Sequence, residues 1–216
     1  MNAQPIQHAH QANADARAGV APATSPARTS PHGLRNRIAR AAWGTVQATL
    51  FRWSPRIAHG WRNLLLRAFG ADLHPSARVY PRARVWGPWN LTMDAGATIA
   101  DDVDCYCVDR VTIGARTVVS QYAYLCGATH DFSLRSRPLT PMPITIGSDA
   151  WIAADVFVAP GVTIGDETVV GARSGVFSDL PPKTVCMGTP AKPVRDRVYR
   201  DEDDRHAVAG SEGGVA

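Results

Sequence analysis

The stretch ITIGSDAWIAADVFVAPGVTIGDETVVGARSGVF, residues 144–177, repeats with a period that no α-helix has. Ile146, Ile152, Val158, Ile164, Val170 and Val176 follow one another every six residues. Such a period belongs to parallel β-helices, in which each short strand forms one side of a triangular coil. One aliphatic residue in six points inward, a small residue fits the corner, and Gly or Asp tolerates the turn. Three hexapeptides close a coil, and coils stack at about 4.8 Å, the spacing of paired strands.

The same rhythm extends towards the N-terminus. Leu73, Val79, Val85 and Leu91 are six apart, an eight-residue step leads to Ile99 and Cys105, and a second leads to Ile113, Val119 and Leu125. Taken in threes, the anchors predict three faces. Leu73, Leu91, Ile113, Ile146 and Ile164 share the first; Val79, Ile99, Val119, Ile152 and Val170 the second; Val85, Cys105, Leu125, Val158 and Val176 the third. The eight-residue steps, after Leu91 and after Cys105, read as two-residue bulges. Ala77, Ala83, Thr117, Ala123, Thr129, Ala150, Val156, Val162, Thr168 and Ser174 are the small residues expected at corners. Phase survives between Leu125 and Ile146 only if residues 131–145 leave the coil as one protruding loop.

That loop carries the chemistry. A β-helix is a rigid prism, so a site needs something that projects from it. His130 stands at the loop's foot, followed by Asp131, Phe132, Arg135 and Arg137, and Pro138, Pro141 and Pro143 restrict the loop to a shaped flap. A histidine there reads either as a proton acceptor near neutral pH or as a corner residue bonded to a backbone carbonyl.

The chain has 216 residues, 45% hydrophobic and 19% charged, ordinary for a globular protein. Its net charge of +4 is uneven: residues 1–70 hold nine Arg and one Asp, and the rest is acidic. Residues 1–33, rich in Ala, Pro, Ser, Thr, Gln and His, are expected to form a disordered tail, which makes His8, His10 and His32 incidental. Residues 34–70 read as a helical hairpin. Ile38, Ala42, Trp43, Val46 and Leu50 mark one helix; Ser54 and Pro55 read as a cap and restart; Ile57, Trp61, Leu64, Leu65 and Phe69 mark the second, and Gly70 its stop. This Trp- and Arg-rich pair serves either as a cap on the prism or as a peripheral membrane contact. The β-helical domain is placed at 71–195 and a C-terminal tail at 196–216. Cys105, Cys107, Cys126 and Cys186 lack metal-ligand spacing and read as reduced thiols, Cys105 and Cys126 as small core residues. No signal peptide or spanning apolar run is visible, so a cytoplasmic place is expected, peripheral at the inner membrane face if the helices touch lipid, and no nucleic-acid partner is indicated.

The run IGARTVVSQYAYLCGATHDF, with PITIGSDAWIAADVFVAPGVTIGDETVVGARSGVFSDLPPKTVCMGTPAKPV after the loop, resembles the hexapeptide-repeat, left-handed β-helix acetyltransferases. Within that family it is similar to the maltose, galactoside and nodulation-factor O-acetyltransferases, and most of all to the colanic-acid-type exopolysaccharide enzymes, over residues 50–197. The resemblance implies a homotrimer with acetyl-CoA lying between neighbouring prisms. It implies direct transfer to an acceptor hydroxyl of a sugar or lipid-linked glycan, with the histidine of "THD", here His130, as general base and no metal. Trp151 matches the tryptophan that walls the cofactor channel, Ala154 and Ala172 the small residues along the pantetheine arm, and Lys192 and Arg195 the basic residues that meet the nucleotide phosphates. Asp109, with Tyr106 and Asp131 beside it, is the candidate acceptor ligand; the alternative is that Asp109 merely caps its bulge.

Three departures from the family pattern involve four positions. Cys107 replaces an asparagine able to orient a hydroxyl. Phe177 and Ser178 stand where a Thr-Lys pair is usual, with Lys183 the available substitute for the lost lysine. Gly175 replaces a β-branched residue and is expected to loosen its coil. Alternative functions are an acetyltransferase of the antibiotic-modifying kind and a non-catalytic scaffold. A zinc carbonic anhydrase on the same fold needs three converging histidines, and the coils contain only His74 and His130.

Overall fold

The computed structural model describes residues 33–199, so the predicted N-terminal tail up to His32 and residues 200–216 lie outside the described residues. The chain is a parallel β-helix of about six coils closed at its N-terminal end by two helices. Sheet 1 stacks Asp72–Leu73, Leu91–Met93, Val111–Ile113, Ile144–Ile146 and Thr163–Ile164. Sheet 2 stacks Arg78–Val79, Thr98–Ile99, Val118–Val119, Trp151–Ile152, Val169–Val170 and Thr184–Gly188, with Ala191–Asp196 added antiparallel. Sheet 3 stacks Arg84–Val85, Asp104–Tyr106, Tyr124–Cys126, Phe157–Val158 and Gly175–Val176. Each predicted six-residue anchor from Leu73 to Val176 is buried, and the three faces are those expected, with one change. Leu73 stacks on Met93 rather than Leu91. Leu91 is buried as well and pairs with Val111, because a three-residue strand turns its first and third side chains to the same side.

This change relocates the first bulge. The eight-residue steps run from Val85 to Met93 and from Cys105 to Ile113, and the long excursion runs from Leu125 to Ile146. All three irregularities therefore fall at one corner of the prism, between sheet 3 and sheet 1. The other corners are regular turns. Asp102, Arg116, Tyr122, Asp149, Asp155, Glu167, Arg173 and Lys183 occupy the left-handed region there, so this turn position accepts far more than Gly or Asp. The glycine that follows many anchors serves close approach instead. A Cβ on Gly114 would lie 2.5 Å from backbone atoms of Gly147 and Ser148 one coil on, and a Cβ on Gly147 would lie 2.6 Å from Asp166 N. Gly114→Ala is therefore expected to cost about 1–3 kcal/mol in a urea titration, because backbone on both sides must move. An unchanged midpoint would show that the coils can spread at this corner without cost.

Gly175 does not loosen its coil. The Phe177 ring folds over it, 2.7 Å from where a Cβ would stand, and its N–H donates to Thr189 Oγ1 (3.1 Å). Thr129, expected at a corner, is exposed because it belongs to the excursion. Cys105, Cys107 and Cys186 are buried, and Cys126 is half-buried; all four are free thiols.

The helical segment answers a polarity problem. Along the prism each coil's N–H groups donate to the carbonyls of the next coil, as in Arg78 N to Ala97 O (2.8 Å) and Arg84 N to Val103 O (2.8 Å). The first coil's carbonyls consequently face outward with no coil to meet them. Helix α1 (Leu34–Val46), its π-helical extension Gln47–Phe51 and helix α2 (His59–Ala68) bring five side chains to them. Arg67 donates to Leu73 O (2.7 Å), Asn63 to Ala77 O (2.7 Å), Arg62 to Val79 O (2.6 Å), Gln47 to Ala83 O (3.3 Å) and Trp43 to Val85 O (2.6 Å). The segment is therefore a cap made of donors, which accounts for Trp43, Arg62 and Arg67. Ser54 does not cap α2, which starts at His59 without a side-chain cap. Ser54 Oγ instead donates to Phe51 O (2.6 Å) and accepts from Arg62 (2.8 Å). Gly70, at φ +93°, ends α2 as expected.

Candidate active site

The irregular corner is built from three stacked segments, residues 86–90, 106–110 and 126–143. The first two are tied together by Asn90, whose amide donates to Cys107 O (3.1 Å) and Val108 O (2.7 Å). Cys107 points into the prism, where its thiol meets Gly87 N (3.3 Å) and O (3.2 Å). The Cys107 thiol is thus buried in the scaffold. The next segment leaves at Gly127, which crosses so close that a Cβ would lie 2.6 Å from Tyr106 O.

What leaves is a β-hairpin. Ala128–His130 pairs antiparallel with Leu139–Pro141, so the protrusion starts three residues before Asp131, and Ile144 is already back in sheet 1. His130 lies on the hairpin's first arm rather than at the end of a coil. It is exposed, and its Nδ1 lies 2.8 Å from Arg137 O. A carbonyl only accepts, so Nδ1 carries the proton and Nε2 keeps the lone pair. The ring is thus bonded to a backbone carbonyl, as one reading expected, and in the neutral ring that bond leaves the lone pair on Nε2.

Asp131 is turned to local work. Its Oδ1 accepts from Ser133 N (2.9 Å), and the Ser133 hydroxyl and N–H hold its carboxyl below the usual range. Asp109 accepts from Arg110 N (2.7 Å), as a cap of its own bulge would, while standing at the same corner as the hairpin. Tyr106 is half-buried in a ladder of rings across the outside of sheet 3, Trp86–Tyr106–Tyr124–Phe157–Phe177, with successive centroids 5.6, 6.4, 5.7 and 5.6 Å apart. The ladder was not anticipated, although Tyr124 and Phe157 each precede an anchor and so had to face outward.

The residues matched to cofactor binding lie elsewhere. Trp151 is half exposed on the outer face of sheet 2, its indole N–H on Ser120 Oγ (3.0 Å). Ala154 and Ala172 stand one coil apart at the corner between sheets 2 and 3, where Arg173 N donates to Ala154 O (2.9 Å). Lys192 and Arg195 are exposed on the terminal strand of sheet 2, opposite Met187 and Val185. Lys183 occupies a turn at the corner between sheets 1 and 2, 3.8 Å from Glu167. Ser178 precedes Leu180 at the corner between sheets 3 and 1, so Lys183 does not take its place. Beyond Arg195 the chain remains packed: Arg197 donates to Asp149 O (2.6 Å) and Glu167 O (3.0 Å).

Two groups result. Tyr106, Asp109, His130 and Asp131 gather at one corner; Trp151, Ala154, Ala172, Lys183, Lys192 and Arg195 lie on or beside sheet 2, which is the face opposite that corner. A single prism holds them apart. Among the described residues no group of His, Cys, Asp and Glu is arranged to hold a metal ion.

Comparison with known proteins agrees with this architecture. The model of the family "Bacterial transferase hexapeptide (six repeats)" matches residues 143–178. The Escherichia coli (strain K12) protein named "Putative colanic acid biosynthesis acetyltransferase WcaF" is 48% identical over 170 residues, 78% of this chain and 93% of that one. A maltose O-acetyltransferase from Clostridium difficile 630 superimposes with a TM-score of 0.70 at 26% identity, over 79% of this chain and 92% of its own. A hexapeptide-repeat acetyltransferase from Vibrio cholerae, solved with acetyl coenzyme A, gives a TM-score of 0.68 at 27% identity, over 77% and 91%. With nearly the whole length of the WcaF relative matched and the repeat itself visible as stacked coils, this chain belongs to the hexapeptide-repeat acetyltransferase family.

Proposed function

We propose that this acetyltransferase moves an acetyl group from acetyl-CoA to a sugar hydroxyl in exopolysaccharide or surface-glycan synthesis, at seams between chains of a homotrimer, with His130 as general base. The observation that carries this reading is the tautomer of His130, fixed by Arg137 O on a hairpin that projects from the prism. Nε2 takes the proton of the acceptor hydroxyl as its oxygen attacks the thioester carbon. The tetrahedral intermediate then collapses, the C–S bond breaks, and the imidazolium returns the proton to the departing CoA sulfur. Holding both substrates at one seam removes the entropy of bringing them together.

The separation of the two residue groups supports a site shared between chains, as a trimer would provide. Sheet 2 offers a flat wall with Trp151, two alanines where a narrow chain could pass, and Lys192 and Arg195 for phosphates. It meets a histidine only if a neighbour's hairpin covers it. The polysaccharide acceptor is supported by the name of the WcaF relative, and acetyl-CoA by the complex of the Vibrio cholerae relative.

Calorimetry with acetyl-CoA tests the first step: saturable binding at about one molecule per chain is expected, and Trp151→Ala should weaken it about tenfold without changing thermal stability. An unchanged affinity would remove Trp151 from the wall. No binding by the intact protein would leave the scaffold reading in its place. Mixed trimers test the seam. Chains carrying His130→Ala and chains carrying Trp151→Ala should together exceed the sum of their separate activities at low acetyl-CoA, because one seam type then has both residues. Strict additivity would place the site within one chain.

A further inference from the structure

Helix α2 carries apolar side chains on both sides. It buries Leu66 with Arg62 and Asn63 against the prism, and it turns Trp61 and Leu64 outward. The exposed apolar surface continues beyond the helix. Ile57 is 89% exposed and Trp53 81% exposed, and Leu50 joins Trp53 and Trp61 around an open concavity of about 460 Å³. Trp61 and Leu64 lie three residues apart on one side of α2, and Ile57 is exposed in the turn that leads into it. The donors needed by the first coil explain why Arg62 and Asn63 point inward. They do not explain why the outward positions hold two tryptophans, two leucines and an isoleucine.

We propose that this end of the prism docks on the surface of an anionic lipid bilayer, with Trp53, Ile57, Trp61 and Leu64 entering the headgroup region. The argument for that occupant is charge. Residues 33–71 contain seven arginines and no Asp, Glu or Lys. Arg52 and Arg67 are exposed on the same segment as the apolar side chains, Arg67 while donating to Leu73 O, and Arg56 is exposed beside them although it pairs with Asp101 (2.6 Å). Tryptophan and arginine together suit a membrane interface, where the ring lies among headgroups and the guanidinium meets phosphate. A second copy of this chain is the poorer occupant, since pairing the two surfaces would bring two arginine-rich segments together. Among the described residues no helix is long and apolar enough to cross a membrane, so the contact is peripheral. If the trimer is the parallel one proposed above, its three caps lie at one end and dock together, and the effective affinity rises with each added contact. The surface itself does not depend on that reading.

The test is co-sedimentation of the full chain with phosphatidylglycerol-containing vesicles and with purely zwitterionic ones. Binding is expected to the anionic vesicles and to fall in ~0.5 M salt, where the Debye length is a few ångströms. The double substitution Trp53→Ser, Ile57→Ser should reduce bound protein about tenfold or more while acetyl-CoA binding and thermal stability are kept. His130→Ala should bind vesicles like the parent, so that failure of the catalytic reading and failure of this one are told apart. Equal binding by parent and double variant, or no binding to anionic vesicles, overturns the proposal. A change of sedimentation coefficient caused by the double substitution without lipid would also overturn it, by assigning the surface to another copy of the chain.

Discussion

His130→Ala lowers kcat by a factor of about 10²–10⁴ and leaves acetyl-CoA affinity within about twofold. The two halves of this result come from two places in the structure. In the proposed mechanism Nε2 takes the acceptor's proton, and without it the hydroxyl must attack while still protonated. The proposed wall for acetyl-CoA, from Trp151 to Arg195, lies on or beside sheet 2 and includes nothing from the hairpin of the same chain. The hairpin itself survives the substitution. Its arms are joined at 128, 129 and 130 with 141, 140 and 139, Asp131 N donates to Pro138 O (3.0 Å), and the tip is shaped by Asp131 and Ser133. Single-turnover kinetics beside calorimetry check both halves. A rate within about threefold of the parent would show that His130 only fastens the hairpin. A loss of acetyl-CoA binding together with rate would show that the side chain shapes the cofactor wall of its neighbour.

What was legible in the sequence follows from what the coil physically repeats. The inward anchor recurs because every coil must fill the same interior, so the faces could be assigned from Leu73 to Val176 by counting. Counting fails where two inward residues stand two apart, as with Leu91 and Met93, since either keeps the interior filled and only pairing decides the register. The hairpin shows the same limit. Its existence followed from the phase, but its start did not, because Ala128 and Thr129 are as small as any corner pair. Cys107 and Gly175 looked like losses when set against relatives. Their neighbours, Gly87 in one case and Phe177 with Thr189 in the other, are 20 and as few as two residues away, and give each a packing reason that one position alone cannot reveal. The separation of His130 from Trp151 was likewise hidden. They are 21 residues apart in sequence, and which side of a prism each occupies depends on how many residues the excursion removes.

Arg62→Met should cost about 3–5 kcal/mol, the range for removing one member of a buried charged network. Arg62 is completely buried and spends its guanidinium on neutral acceptors: Val79 O (2.6 Å), Ser54 Oγ (2.8 Å), Pro55 O (2.8 Å), Arg56 O (2.7 Å) and His59 Nδ1 (3.1 Å). The last contact requires a neutral imidazole, and burial with Arg62, Arg78 and Arg56 nearby lowers the His59 pKa in agreement. Methionine fills much of the space and supplies no donor, so the carbonyls of Pro55 and Arg56 lose this donor at once, and Val79 O is left with His59 Nδ1, 3.2 Å away. The loss should not spread evenly. The linker from Ser54 to Ala58 is held by this side chain at Ser54, Pro55 and Arg56 and otherwise by Arg56 on Asp101 and the Tyr80 ring, so α2 should loosen before the prism does. Hydrogen exchange is then expected to lose protection first in residues 59–68 and in the first coil, while the strands from Ile144 to Val176 keep theirs. A variant within about 1 kcal/mol of the parent in urea, or one that loses protection uniformly, would mean that the other four donors suffice to close the prism. The expected pattern has a physical reason. A stack of coils meets its own needs everywhere except at its ends, and the carbonyl end must either find donors or become an open strand edge ready to pair with another chain.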